Sequence, residues 1–511
     1  MSARAWLIDR VAALCHEPAV RFEPTGELAT WGELRDEGSA LLGAAGVAAP
    51  GCRVGWFGHA PRTACAALLG ALVRDATLVS LHPRLARPEL EAQLRDAQLD
   101  ALLTDAPALD PAAAAPCRVL VTGAGAPPGT AAPMLAPLAD SSVPLLQLYT
   151  SGTTGAARGA LLGADALLAS ARASTARLDT GPGDTWLACM PLAHIGGISI
   201  LLRALVDGAR VVSLPGFDAA STWQWLQAGG ITRVSLVPTM LLRVLGQAGG
   251  AAPPPTLRSV LVGGAALDAA LHLRALDAGW PVVTTYGLTE ACSQVVTSPG
   301  VAPRSRVGWA GRPLDGIEVR IASPDAGGVG EVCVRGAVLM QGYWQRPAAT
   351  AAALHDGWLL TGDLGQLDAE GWLRLVARRS DLIVTGGENV RPAEVEAVLE
   401  ACPGVLEAAV VGLPDPVWGS CVAAAVVWQP GVDPTWEELE RWCRARLAGF
   451  KLPRRWLAVE ALPRTATGKV VRNGVVEAFA RSGVGGGRGA RGDGPDVEHG
   501  DAHRQPLKPG G

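Results

Sequence analysis

The sequence predicts an α/β protein, with a large N-terminal domain of layered sheets and helices and a small C-terminal α+β domain. Three observations point there. A chain of 511 residues is too long for one hydrophobic core and divides into units. As far as about residue 375, short Val/Leu/Ala runs alternate with helical patterns and Gly/Pro punctuation, which marks mostly parallel sheets covered by helices. At Ala377-Arg-Arg-Ser-Asp381 a polar break interrupts that pattern, and a second apolar pattern begins.

The alternation is clearest where Arg210–Leu214 reads as a strand, Ser221–Ala228 as a helix and Val234–Val237 as a strand. Beyond the break, Arg391–Cys402 reads as a helix opened by Pro392, whose missing N–H is harmless in a first turn, with Val395, Val398 and Leu399 as its apolar positions. Leu406–Val411 and Val422–Val427 read as strands, and Thr435–Leu447 as a further helix. From Ser482 to Gly511 the chain is Gly/Arg/Asp/Pro-rich with almost nothing apolar to bury, so it is predicted to be disordered. The expected organisation is a large domain over 1–377, a hinge at 378–381, a small domain over 382–481 and a tail over 482–511.

Hydrophobic residues make up 49% and charged residues 18% of the chain, the composition of a folded protein. The net charge is −4 with no long block of one sign, which argues against nucleic acid or an anionic membrane as main partner and favours a small molecule. The longest apolar runs, such as Ala64–Val73, fall short of the roughly 20 residues that span a bilayer. The amino terminus lacks a signal-peptide pattern, so the expected location is the cytoplasm. Ten cysteines are scattered without a Cys-x-x-Cys pair, as expected for reduced thiols rather than disulfides or structural zinc. Lysine survives only at Lys451, Lys469 and Lys508, and tyrosine only at Tyr149, Tyr286 and Tyr343, so each is a candidate for a chemical task.

Tyr149-Thr-Ser-Gly-Thr-Thr-Gly-Ala-Ala-Arg-Gly159 follows the apolar run Val143–Leu148. Its glycines let backbone N–H groups converge, and its hydroxyls and Arg158 add donors, which suits a phosphate cradle. It is not a Walker A loop, and on composition alone a plain Ser/Thr/Gly turn is equally admissible. Thr285-Tyr-Gly-Leu-Thr-Glu290 follows Pro281–Thr284 and so sits at a strand's carboxyl end, where open α/β sheets gather ligands. There Tyr286 suits a nucleobase, Thr289 a phosphate oxygen, and Glu290 Mg²⁺, a hard cation that takes carboxylate oxygen. The same string also reads as a helix start capped by threonine. Leu261-Val-Gly-Gly-Ala265 reads as a second strand end, bare enough for a flat ring to approach.

In this order, the segments resemble the core motifs of the acyl-adenylate-forming superfamily, which includes acyl-CoA synthetases, firefly-type luciferases and peptide-synthetase adenylation domains. The resemblance runs from Thr30-Trp-Gly-Glu-Leu34 and Leu81-His-Pro-Arg-Leu85 to Lys469. It implies ATP, Mg²⁺ and coenzyme A as cofactors or co-substrates, a carboxylic acid as partner, and a mobile small domain. It implies an ATP phosphate loop of Thr150, Ser151, Gly152, Thr153, Thr154, Gly155 and Arg158, with Ala157-Arg158-Gly159 in place of the usual Pro-Lys-Gly. Glu290 corresponds to the catalytic, magnesium-linked glutamate. Gly263, Gly264, Ala265, Tyr286, Gly287 and Thr289 correspond to the nucleotide site. Asp363 corresponds to the ribose-holding aspartate, whose two acceptor oxygens suit a vicinal diol. Arg378 matches a nucleotide-contacting arginine, Ser380 lies near the hinge, and Gly386, Gly387 and Glu388 match the loop lining the pantetheine tunnel. Lys469 corresponds to the catalytic lysine, an ammonium that follows charge onto the α-phosphate.

Pro191-Leu-Ala-His-Ile-Gly-Gly-Ile-Ser199 and Thr289-Glu-Ala-Cys-Ser-Gln-Val-Val-Thr297 are similar to the branch of the family that ligates o-succinylbenzoate to CoA in menaquinone biosynthesis. That likeness implies a catalytic His194 beside the reacting carboxylate, with Ser293, Gln294 and Thr297 on polar substrate atoms. Taken alone, His194 reads equally as a hydrogen-bonded histidine at a helix start. No cation for a second substrate carboxylate is evident in the sequence. The alternatives are another aryl- or fatty-acid:CoA ligase, which shares every nucleotide residue; an enzyme loading a carrier protein, for which an amino-binding Asp and a carrier domain are missing; and a non-catalytic nucleotide-binding protein, against which Glu290, Asp363 and Lys469 argue.

Overall fold

A computed structural model gives the structure of the protein and describes residues 1–106, 117–122, 141–150, 157–265, 267–378, 382–429, 435–464 and 470–482. Its largest sheet has nine strands. Six of them, Pro18–Phe22, Arg210–Ser213, Thr185–Ala188, Arg233–Leu236, Ser259–Val262 and Val282–Leu288, run parallel side by side. Glu27–Thr30 closes one edge, and Ser293–Thr297 and Arg312–Pro313 the other, all antiparallel. A seven-stranded sheet is built likewise: Leu146–Thr150, Thr77–Leu81, Arg53–Phe57, Ala101–Thr104 and Arg118–Val121 are parallel, and Arg158–Leu162 and Gly342–Tyr343 add an antiparallel edge.

One core fills the space between these sheets. It includes the helices Trp31–Ala44, Pro61–Val73, Ala164–Leu178 and Ile195–Asp207. The apolar run Ala64–Val73 is explained by this position, since all ten of its residues are buried. Its helix crosses Trp31–Ala44 backbone against backbone. A Cβ on Gly38 would come within 1.8 Å of the Ala66 carbonyl oxygen, and one on Gly70 within 2.5 Å of the Gly38 carbonyl oxygen. A second core covers the other face of the nine-stranded sheet with the helices Ala219–Gln227 and Pro238–Ala248.

A third sheet of five strands, Ile317–Ala322, Gly330–Gly336, Leu354–His355, Trp358–Leu367 and Leu373–Arg378, is wholly antiparallel. The βα alternation read along the sequence does not extend to it. After the break, Ile383–Thr385 and Glu388–Val390 form a hairpin, and Val405–Asp415, Gly419–Trp428 and Arg455–Ala458 a three-stranded sheet. Separate apolar clusters cover that sheet's two faces, one with helices Pro392–Glu400 and Trp436–Arg444, the other with Arg472–Arg481. The fold is the expected α/β architecture. The boundaries move modestly: the helix read as Ser221–Ala228 is Ala219–Gln227 because Asp218 caps it at the Ser221 N–H, and the helix read to Leu447 ends at Arg444.

Candidate active site

Three of the motif segments leave the same carboxyl edge of the nine-stranded sheet. The parallel ladder of Val282–Leu288 with its neighbour ends at Thr284, and from Thr285 the chain pairs antiparallel with Ser293–Thr297. Tyr286 therefore stands at the end of the parallel sheet, as its motif implied, but in a continuing strand. The alternative of a helix start is overruled, because Thr289–Ala291 is a single 3₁₀ turn between two hairpin strands. Gly263 follows the neighbouring strand, and a Cβ there would meet Thr285 Cγ2 at 2.6 Å, so this strand end lies flat on Thr285. Gly264 has φ +79°, Ala265 is half-buried, and a Cβ on Gly287 would strike the Ser293 carbonyl oxygen. From the same edge, beyond Thr185–Ala188, the chain reaches His194, the N-cap of helix Ile195–Asp207.

Two tyrosines bind this edge to the other sheets. The Tyr286 hydroxyl donates to Asp363 Oδ2 at 2.7 Å, tying the nine-stranded sheet to the five-stranded one, and both side chains are buried. Asp363 pairs in register with Arg378, of which the backbone alone is described. The Tyr343 hydroxyl donates to Glu290 Oε1 at 2.9 Å, tying in the seven-stranded sheet, and the Arg158 guanidinium lies 5.6 Å from the centre of the Tyr343 ring. Burial first, and then the Glu290 charge, push the Tyr343 phenol above its ordinary range, so it stays a neutral donor. Tyr343 belongs to no motif singled out above; the signal was the scarcity of tyrosine. Glu290 Oε2 forms no hydrogen bond among the described residues, and a carboxylate oxygen of this kind fits Mg²⁺. Thr289 stands beside it in the turn, and Thr150 pairs with Arg158 in the two antiparallel strands that flank residues 151–156. Ser151, Gly152, Thr153, Thr154, Gly155 and Lys469 lie outside the described residues, as do Ser380 and 483–511.

The pocket segments behave differently from their expected roles. Gln294 and Thr297 are buried, and their polar atoms are spent on neighbours. Gln294 Nε2 donates to Thr297 Oγ1 at 3.0 Å, its Oε1 accepts from Ser174, and Thr297 Oγ1 meets Thr285 Oγ1 at 2.9 Å. These bonds tie the hairpin strand to helix Ala164–Leu178 and to its partner strand. Ser293, half-buried with φ +105°, reaches Ser199 Oγ at 3.4 Å. Behind Ser199 lies Arg203, which no motif had singled out. Its Nη1 is 3.1 Å from Ser199 Oγ and 3.4 Å from Gln294 Oε1, and its guanidinium lies 4.5 Å from the centre of the Trp186 ring. Arg203 is 2% exposed, has no hydrogen-bond partner at Nε and forms no ion pair among the described residues. Burial lowers its pKa to about 10, against the raising influence of Asp207. The signal for it was helical spacing: an arginine four positions after Ser199, and so on the same face, in a largely apolar helix.

The small domain enters through its hairpin. Gly386 and Gly387 have φ +58° and +90°; a Cβ on Gly386 would strike the Trp418 ring at 2.7 Å and one on Gly387 the large domain's Val237 at 2.9 Å. Bare and left-handed, this turn brings Glu388 against the large domain. Glu388 Oε2 lies 3.1 Å from His194 Nε2, its Oε1 lies 3.3 Å from His82 Nε2, and the Arg84 guanidinium bonds the same carboxylate. Burial alone would raise the Glu388 carboxyl, but hydrogen bonds from His194 and His82 outweigh it and hold the group far below the usual carboxylate range. Burial lowers the His82 pKa. The three ligand-type side chains His82, His194 and Glu388 converge within 4.8 Å, but Arg84 already supplies the countercharge, so the group is a polar cluster and not a metal centre.

The AMP-binding enzyme family matches residues 8–344, and the AMP-binding enzyme C-terminal domain matches residues 394–469. A 2-succinylbenzoate–CoA ligase of Bacillus mycoides is 38% identical over 412 residues, covering 78% of this chain and 82% of that protein. Among solved structures, a double mutant of o-succinylbenzoate CoA synthetase from Bacillus subtilis, bound with its product analogue OSB-NCoA, superposes with a TM-score of 0.85 at 31% identity, covering 92% of this chain and 98% of that one. The Bacillus subtilis enzyme in complex with the acyl-adenylate intermediate OSB-AMP superposes with a TM-score of 0.68 at 31% identity, covering 92% and 97%. Over the same share of its length, the chain thus lies closer to the form holding the CoA analogue. With one family spanning residues 8–344 and a relative 38% identical over most of its length, the chain belongs to the AMP-binding enzyme family, within the acyl-adenylate-forming superfamily.

Proposed function

We propose that this enzyme joins 2-succinylbenzoate to coenzyme A at the expense of ATP, in menaquinone biosynthesis. In the first half-reaction a substrate carboxylate oxygen attacks the α-phosphorus of ATP and pyrophosphate leaves. In the second, the CoA thiol loses its proton and attacks the acyl carbon, and AMP departs. Adenylation is needed because oxide is too poor a leaving group.

The observation that carries the choice of acid is Arg203. A fully buried guanidinium without a carboxylate partner is unstable by several kcal/mol relative to a paired one, on the order of 3–5 kcal/mol. A dicarboxylic acid presents one carboxylate to the nucleotide and leaves the other to pair with Arg203 past Ser293. Benzoate and fatty acids have no second carboxylate to offer.

The other residues divide the work. Asp363, held by Tyr286, takes the ribose hydroxyls, Arg158 and the phosphate loop take the phosphates, and Lys469 stabilises the charge that moves onto the α-phosphate. Mg²⁺, when bound, offsets phosphate charge, and Glu290, oriented by Tyr343, is the side chain that would hold it. His194 and Glu388 border the point where the thiol meets the acyl group. The enzyme works in the cytoplasm, where ATP and CoA are available and where its ten free cysteines stay reduced.

The test is acid-dependent pyrophosphate exchange with 2-succinylbenzoate, benzoate and medium-chain acids. Exchange should be strongest with the first, and Arg203→Met should lower kcat/KM for it by about 10²–10³ while leaving any monoacid activity in place. Silence with 2-succinylbenzoate beside activity on a monoacid would reject the choice of acid and keep the class.

A further inference from the structure

Lys451 is one of three lysines in the chain, and neither the nucleotide nor the acyl site uses it. It ends the 3₁₀ turn Gly449–Lys451 of the small domain. Its ammonium bonds two carboxylates, Glu89 on the large domain's helix Arg87–Ala97 and Glu394 on the small domain's helix Pro392–Glu400. The side chains of Lys451 and Glu89 are 10% and 11% exposed, so this is a desolvated junction and not a surface pair. The other oxygen of Glu89 accepts the Ala86 N–H at its own helix start and the Ala448 N–H of the small domain, each at 2.9 Å. A single large-domain carboxylate therefore receives two donors from the small domain.

With the domains apart, Lys451 still has Glu394 and Glu89 still caps its helix; only docking brings the ammonium between both carboxylates. The same turn bears on the active site. Phe450 packs edge-on against His82 with ring centres 5.6 Å apart, and the Arg84 guanidinium lies 5.4 Å from its ring centre. His82 and Arg84 are two of the three side chains that hold Glu388 beside His194. Over 92% of its length the chain also lies closer to the CoA-analogue form of its Bacillus subtilis relative than to the adenylate form.

We propose that Lys451 is a positioning residue for acyl transfer to CoA: shared between Glu89 and Glu394, it fixes the small domain where Glu388 meets His194, and it takes no part in acyl-adenylate formation. This rests on the ligase reading above. The experiment compares wild type, Lys451→Met, Lys451→Arg, Glu89→Gln and the Lys451→Met/Glu89→Gln double variant in two assays: pyrophosphate exchange without CoA, and single-turnover consumption of pre-formed acyl-adenylate by CoA. Hydrogen exchange at the Ala448 amide reads the docked contact itself. Lys451→Met should slow the CoA step at least tenfold and leave exchange within twofold, while Lys451→Arg recovers most of the loss. Glu89→Gln should act in the same direction, the double variant should be no slower than the slower single, and the Ala448 amide should exchange at least tenfold faster in Lys451→Met. Equal loss in both assays, or an unchanged CoA step with unchanged Ala448 exchange, overturns the proposal. Should Lys451→Met not fold, Glu89→Gln decides by the same two criteria. A wild-type chain that activates no acid would reject the ligase reading, and the Ala448 amide would then decide whether Lys451 docks the domains.

Discussion

Each of the three tyrosine hydroxyls donates to a carboxylate: Tyr149 to Asp96, Tyr286 to Asp363 and Tyr343 to Glu290. The last two aim the acids that the proposed reaction sets against a nucleotide. Tyr343→Phe removes one charge-assisted hydrogen bond to Glu290, a change of about 1.5–3 kcal/mol; the Mg-ATP concentration for half-maximal pyrophosphate exchange should rise roughly tenfold or more. Glu388 gives a pH prediction. Its folded-state pKa is depressed, so its stabilising contribution is complete above the unfolded value of about 4.3 and is lost as pH falls from there through the folded value. Melting temperature should therefore fall more steeply below that pH in the wild type than in Glu388→Gln. Residues with a motif around them, such as Glu290, Asp363 and His194, were legible in the sequence. Gln294 and Thr297 were legible as part of the pocket segment but not in their orientation, because a two-residue period sets which face of a strand a side chain takes, and only the hairpin register fixes which face is the pocket.

At the scale of elements, the sequence announced helices and parallel strands by apolar runs between Gly and Pro, and these stand within a few residues of expectation. The five-stranded antiparallel sheet was missed. Its strands alternate buried and exposed positions unevenly, as in Trp358–Leu367, and turns interrupt them without the long apolar runs of buried parallel strands. Helix Pro61–Val73 was legible as apolar, whereas its crossing partner was not, since Gly38 and Gly70 are far apart in sequence. Gly70→Ala forces its new methyl onto backbone at Gly38, so overpacking should cost about 1–3 kcal/mol, measured by denaturant unfolding, while Gly246→Ala, whose Cβ meets nothing within 4 Å, should not destabilise.

At the scale of the molecule, the site lies where three sheets meet and a fourth unit docks, so its residues come from almost the whole chain. No local pattern reveals such a meeting. Glu388 meets Arg84 and Lys451 meets Glu89 across the seam between the domains, and such polar contacts suit an interface that can be made and broken rather than a permanent core.

Arg203 has a consequence for the protein without its substrate. Among the described residues Arg203 has no ion-pair partner, and in the proposed complex the acid supplies that counter-ion. Arg203→Met should therefore melt at a higher temperature than the wild type when both are empty. With 2-succinylbenzoate at a hundred times its dissociation constant, the wild type should gain about 2.7 kcal/mol of stability, and the variant almost none. Heat resistance and substrate choice would then trade against each other at one side chain, and a melting curve would rank candidate acids before any turnover is measured.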